Sequence, residues 1–275
     1  MSIVAQVMLL GWDGVDIDWE YPGYEHGIPD GDSVYDCAVA GACTKNRAND
    51  QVQYVQLLQA LKTSLPPYKE ISIAAPTGPN QVNKLHAKDI CDTASHINLM
   101  AYDINGAWSP LVNHHALLYD RQPNLTLRWG VDDAVQLYLA AGCASTSLVL
   151  GVPFYGRGFS NVDPGPDPNR PGLYSTHSNN LANFEAQAWS YAQIKTALTS
   201  NTGWTEYYDA DAVAAYMYNP VQRTLVSYDN PVSLRAKAAY SRKHGLGGLM
   251  YWMMGQDTPN NELLLAMSTA LNAAQ

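Results

Sequence analysis

Carboxylates recur at alternate positions in Asp16, Asp18 and Glu20, with Asp13 three residues ahead of them. Side chains alternate along a strand, so Asp16, Asp18 and Glu20 share one face and Val15, Ile17 and Trp19 the other. Asp13 falls out of phase, at the strand's start. Three carboxylates stacked at this range do not all ionise cheaply, and a proton is expected to be shared within the row. A carboxylic acid kept protonated near neutral pH is what a general acid must be. A solvated sheet edge is the bland alternative, but the apolar opposite face and the Pro22-Gly23 turn speak against it. A calcium loop needs a glycine and a twelve-residue spacing that the row lacks, leaving a magnesium-type carboxylate site as the remaining cation reading. No metal is assigned.

The elements that must hold this row alternate along the chain. Val15–Trp19 reads as a strand. A helix runs from Asp50 to about Leu65, with Val55, Leu58 and Leu61 at helical spacing, and Pro66-Pro67 ends it. Strands are expected at Ile71–Ala75, His96–Tyr102, Ser147–Val152 and Gly247–Trp252. Helices are expected around Lys84–Cys91, Val131–Ala141, 231–244 and Glu262–Leu271. The strands are nearly continuous apolar runs, the pattern of βαβ units around a parallel sheet covered on both faces. Residues 158–226 break the rhythm with a Pro- and Gly-rich stretch and short Tyr-rich pieces, and read as an inserted α+β subdomain.

Composition narrows the function classes. The 275 residues carry 16 basic and 25 acidic side chains, a formal charge of −9, so nucleic acid and anionic membranes are not expected partners. No stretch is long and apolar enough to span a membrane, and the N-terminus lacks the basic region and cleavage site of a signal peptide. Tyr and Trp number 18 and 7 against 3 Phe, a skew toward rings with a polar edge that fits carbohydrate binding and interfaces alike. Cys37 and Cys43 sit close enough in sequence for a local bridge. Cys91 and Cys143, each following a helix, could form a bridge or remain two buried thiols. Asn124-Leu125-Thr126 is an N-glycosylation sequon, meaningful only in a secreted chain. His114-His115 lacks a third ligand at zinc spacing and reads as a satisfied loop position.

The stretch Asp13–Gly23 resembles the D-x-x-D-x-D-x-E signature of glycoside hydrolase family 18, the chitinases. The resemblance continues in order through Asn98–Asp103, Gly151–Arg157, Ser227–Asp229 and Gly247–Trp252, and so covers essentially the whole chain. It implies a TIM (β/α)8-type barrel with the signature on strand four, Met100-x-Tyr102-Asp103 on strand six, Tyr155-x-Arg157 on strand seven and Trp252 on strand eight. On this reading the barrel is incomplete, holding strands four to eight. Residues 1–157 and 227–275 form it, and 158–226 form an α+β insertion between strands seven and eight. Exposed barrel edges lead us to expect self-association.

The resemblance further implies retaining hydrolysis of β-1,4-linked N-acetylglucosamine, assisted by the substrate's own acetamido group. Glu20 is the implied acid and base, Asp18 the group that orients the acetamido and stabilises the oxazolinium, and Asp16 the partner sharing a proton with Asp18. Tyr102 is implied to bond the acetamido carbonyl. Asp13 is a support or contact at the strand's start, and Tyr21, Met100, Asp103, Trp108, Tyr155, Arg157 and Trp252 are implied substrate contacts. For any lone Tyr or Trp, core packing is the competing reading. The family's usual Glu after the strand-eight Trp is Met253 here. No cofactor is expected, the partner is chitin or a chito-oligosaccharide, and the implied location is extracellular. Two rivals stay open: a non-catalytic chitin binder, favoured by the incomplete barrel and disfavoured by the intact Asp16, Asp18 and Glu20, and an endo-β-N-acetylglucosaminidase acting on glycoproteins.

Overall fold

The computed structural model describes residues 2–23, 49–120, 128–165, 167–178 and 188–273. Cys37, Cys43 and the sequon at Asn124 lie outside them. The chain divides into two compact units, residues 1–99 with 137–148, and residues 100–136 with 149–275.

The first unit begins with α1 (Ile3–Leu10), whose N-cap Ser2 accepts from the Ala5 amide and whose end is closed by Gly11 at φ 67°. There follow β1 (Gly14–Ile17), α2 (Asp50–Ser64), β2 (Glu70–Ala75), α3 (Pro79–Val82), α4 (Ala87–Thr93) and β3 (His96–Leu99). β1 pairs in parallel with β2, Asp16 opposite Ser72, and β2 in parallel with β3, Ser72 opposite His96. At Gly14 a Cβ would stand 2.1 Å from the Glu70 carbonyl oxygen, so only glycine lets β1 start this close to β2. α2 buries Tyr54, Val55, Leu58 and Leu61, with Asp50 in its first turn and Lys62 in its last to complement the helix dipole. Ile71, Ile73 and Ala75 of β2 and Ile97 and Leu99 of β3 are buried at alternate positions. Cys91 and Cys143 form a disulfide with Cα atoms 5.4 Å apart, which decides between bridge and thiols.

α5 (Val131–Ala140) and a 3-10 turn at Ser145–Ser147 lead to β4 (Leu148–Pro153). The second unit continues with β5 (Tyr155–Phe159), β6 (Ala188–Ser190), α6 (Tyr191–Thr199), β7 (Thr205–Asp209), β8 (Ala214–Asn219), β9 (Thr224–Tyr228), α7 (Pro231–Lys243), β10 (Gly248–Trp252) and α8 (Glu262–Asn272). β10 runs parallel to β4, with Trp252 opposite Pro153. The strands β6-β5-β9-β8-β7, in that order, form a separate antiparallel sheet. Phe154, Ile194, Met217, Val226, Leu234 and Leu263 belong to one buried cluster, and Phe159, Leu173, Tyr216 and Leu225 to another. Asn230 and Ser233 cap α7 reciprocally, with Pro231 at its first position.

Four expectations from the sequence are corrected. The carboxylate strand ends at Ile17, so Asp18 and Glu20 lie past the ladder, although the alternation runs on through them. The strand expected to reach Tyr102 stops at Leu99, which puts Tyr102 and Asp103 on a loop. The helix placed around Lys84–Cys91 is α4, which starts at Ala87 and runs to Thr93, and a separate turn α3 precedes it. Tyr155 and Arg157 belong to β5 of the antiparallel sheet rather than to the parallel strand before it. Gly156 allows that pairing, since a Cβ there would stand 2.6 Å from the Ser227 carbonyl oxygen.

Candidate active site

In the first unit, Asp16, Asp18 and Glu20 are exposed while Val15, Ile17 and Trp19 are half-buried, the alternation that the residue types require. Trp19 meets Tyr54 of α2 edge to face, ring centroids 5.6 Å apart. Asp16 is held from two successive strands: Ser72 Oγ of β2 donates to its Oδ1 at 2.5 Å, and Asn98 Nδ2 of β3 at 3.1 Å. Both partners follow from parallel pairing, but the sequence reading gave Ser72 and Asn98 no role. Their signal was a short polar side chain set among apolar neighbours on each strand. Burial, with the charges of Asp16 and Asp18, pushes the Tyr54 hydroxyl above its ordinary range, so it stays a neutral phenol behind the row. Asp13 is exposed and its carbonyl accepts from the Glu70 amide at 3.0 Å, placing it at the entry to β1. Tyr21 follows Glu20 across a cis peptide bond.

In the second unit, Met100, Tyr102 and Asp103 are half-buried on the loop after β3. Asp103 has φ 56°, and the amide of the next residue, Ile104, donates to the His115 carbonyl at 2.9 Å. Its carboxylate takes both arms of Arg157, Nε to Oδ1 and Nη2 to Oδ2, each at 2.7 Å. Burial alone would raise the Asp103 carboxyl. The Arg157 hydrogen bonds, with His115 adding to them, hold it well below the usual carboxylate range. Tyr155 and Arg157 are 5% and 7% exposed. They stand behind Asp103 and Tyr102: the guanidinium lies 5.1 Å from the Tyr155 ring, and Tyr155 meets Tyr102 edge to face at 6.1 Å. Burial raises the Tyr155 hydroxyl as well, with the Asp103 charge adding to the effect.

Trp108 is 42% exposed, with the Arg157 guanidinium 6.0 Å from its ring. Its loop is tied by Asn105 and Ser109, whose side chains bond the His114 carbonyl, the Gly106 amide and each other. A Cβ on Gly106 would stand 2.4 Å from the indole, so the benzo end of that ring sits against bare backbone. Trp252 ends β10 at 51% exposure, precedes a cis bond to Met253, and its carbonyl accepts from the Phe154 amide at 2.7 Å. Ser227-Tyr228-Asp229 spends its polar groups internally. Ser227 Oγ accepts from the His115 amide, and Tyr228 donates to Glu206. Asp229 forms a fully buried pair with Lys237 at 2.5 Å. His114-His115 is not the satisfied position expected. Both rings are buried, and among the described residues neither nitrogen of His115 has a hydrogen-bond partner, because Asp103 stands just beyond reach.

The family model for "Glycosyl hydrolases family 18" matches residues 1–257. The chain is 32% identical over 269 residues to Chitinase 1 of Aphanocladium album, covering 94% of this chain and 55% of that one. It is 33% identical over 270 residues to Endochitinase 1 of Metarhizium robertsii, with the same coverage. It thus spans about half the length of these curated relatives. Among solved structures it resembles a multi-modular cell-surface chitinase of Paenibacillus sp. str. FPU-7, with TM-score 0.83, 29% identity, and coverage of 98% of this chain and 30% of that one. It also resembles a family 18 N-acetylglucosaminidase of Paenibacillus barengoltzii, with TM-score 0.81, 26% identity, and coverage of 98% and 74%. The fold is therefore α/β and TIM-barrel-like. The chain belongs to glycosyl hydrolases family 18. Among the described residues no helix is long and apolar enough to cross a membrane.

Proposed function

We propose that this chain is a chitinase, cleaving β-1,4 bonds between N-acetylglucosamine units in chitin and chito-oligosaccharides with retention of configuration. The observation that carries this reading is the intact row of Asp16, Asp18 and Glu20 in a family 18 chain, with Asp16 anchored by Ser72 and Asn98 and the other two carboxylates facing solvent. Glu20 protonates the glycosidic oxygen and then takes a proton from the incoming water. Asp18 orients the substrate's acetamido group, whose oxygen attacks the anomeric carbon, and its charge steadies the resulting oxazolinium. Asp16 shares its proton with Asp18 while Ser72 and Asn98 donate to its Oδ1. Tyr102 donates to the acetamido carbonyl, and Met100 lines the pocket wall. Asp103 contacts the sugar, with Tyr155 and Arg157 acting through it rather than by direct contact. Trp252 packs under the reacting ring, Trp108 under the sugar beyond the cleavage point, and Tyr21 adds a contact. Asp13 supports the start of β1.

The same proposal assigns residues 1–157 and 227–275 to barrel strands four to eight and 158–226 to an α+β insertion between strands seven and eight, whose antiparallel sheet also takes in Tyr155–Arg157 and Ser227–Tyr228 at its ends. It places the enzyme outside the cell, where the Cys91–Cys143 bridge is stable. It has the chain binding chitin and associating with itself through exposed apolar edges.

Release of a chromophore from a chito-oligosaccharide by purified protein tests the activity. Glu20→Gln is expected to lower turnover by at least about 10²-fold while oligosaccharide binding persists. Binding without any turnover dependent on Glu20 would replace the enzyme with a non-catalytic binder. Turnover confined to glycoprotein substrates would replace chitin as the substrate.

A further inference from the structure

We infer that His115 is a positioning residue for Asp103: its buried imidazole helps fix the carboxylate, which Arg157 clamps from behind, in the orientation that meets the sugar. The inference rests on the reading of Asp103 as a sugar contact given above.

His115 is fully buried, and a phenyl ring would fill the same space without polar atoms. An imidazole there leaves two nitrogens without hydrogen bonds among the described residues, a desolvation cost that the phenyl ring would not carry. Unpaired buried polar atoms are costly, and among the described residues His115 alone carries two of them beside a site carboxylate, which points to a use. Among the described residues, the acceptor set against the ring is Asp103 Oδ1, 3.6 Å from Nδ1. That separation is too long for a hydrogen bond, and it leaves Nδ1 beside the carboxylate.

The backbone makes the same connection. The His115 carbonyl accepts from Ile104, pinning the left-handed turn on which Asp103 sits, and the His115 amide donates to Ser227 Oγ of β9 at 3.1 Å. The imidazole packs on Tyr155 at 5.4 Å, and Tyr155 carries Arg157 on its ring. The four side chains thus close a circuit: His115 to Asp103, to Arg157, to Tyr155, and back. The charged groups acting on the imidazole are Asp103, Asp229 and Arg157. Burial outweighs the two carboxylates and keeps the ring neutral. A neutral ring with its proton on Nδ1 turns a donor toward Asp103 and stays uncharged beside Arg157. His114 is turned toward Asp209 and shares Ser227 Oγ with the His115 amide.

The test is a double-mutant cycle on kcat and KM, with every variant checked by melting. His115→Phe is expected to raise KM roughly tenfold with a smaller change in kcat, and His115→Asn, which restores an N–H near Nδ1, to recover most of the loss. The double variant His115→Phe with Asp103→Asn should bind no worse than Asp103→Asn alone, because both act through one carboxylate. Fully additive losses, or a folded Asn variant as poor as the Phe one, would overturn the inference. A wild-type chain that turns over no chito-oligosaccharide overturns the functional reading instead, and imidazole 15N spectra then judge His115 on its own. A proton on Nδ1 whose signal moves in Asp103→Asn upholds the contact, and a proton on Nε2 refutes it.

Discussion

Asp103 is clamped by its surroundings, and its partners make it pH-sensitive. Its carboxyl ionises more readily in the folded chain than in the unfolded one, because Arg157 clamps the charged form. The stabilisation is therefore present above the unfolded pKa of about 3.9 and is lost as pH falls through that value toward the folded one. Arg157→Leu should lower the melting temperature by a few degrees at pH 7, and that gap should narrow between pH 5 and pH 3. A gap independent of pH would mean that the arginine serves packing alone. The residue types at this site were legible in the sequence; their division of labour was less so. Period-two alternation suffices to put Asp16, Asp18 and Glu20 on one face. That Arg157 turns inward to Asp103, and that His115 lies buried behind both, depends on residues 42 and 54 positions apart meeting, which no local spacing encodes.

At the scale of elements, what places Trp108 is the turn before it. The indole rests against Gly106, and Asn105 and Ser109 tie that turn to the His114 backbone. A methyl group at position 106 has no room while the ring stays. Gly106→Ala is expected to displace Trp108 and raise KM for oligosaccharides that reach past the cleavage point by several-fold, with fluorescence of the ring shifting in parallel. Unchanged KM together with unchanged fluorescence would show that the ring has another resting place. Element types were readable along most of the chain because apolar periodicity separates strands such as Ile71–Ala75 from helices such as α2. What failed was the ownership of Tyr155–Arg157. A strand that leaves one sheet and enters another within two residues has no signature beyond the glycine that lets its new partner approach.

On the scale of the whole chain, α1 leaves Met8, Leu9 and Leu10 exposed, with Trp12 just beyond them. Apolar surface of that kind, gathered on one short helix, favours contact with another molecule. Sedimentation should show a mass that rises with concentration, and Leu9→Lys with Leu10→Lys should return it to one chain. A monodisperse wild type would refute the self-association proposed above. A consequence of another kind comes from the Cys91–Cys143 bridge. The covalent ring it closes contains Met100, Tyr102, Asp103, Trp108 and His115. A protease that cuts the site loop once therefore opens a circle instead of releasing a piece. The nicked protein migrates at full mass until a reductant is added, when it separates into two fragments. Bound oligosaccharide can then be mapped onto this loop by which cuts it suppresses, read from a single pair of gels.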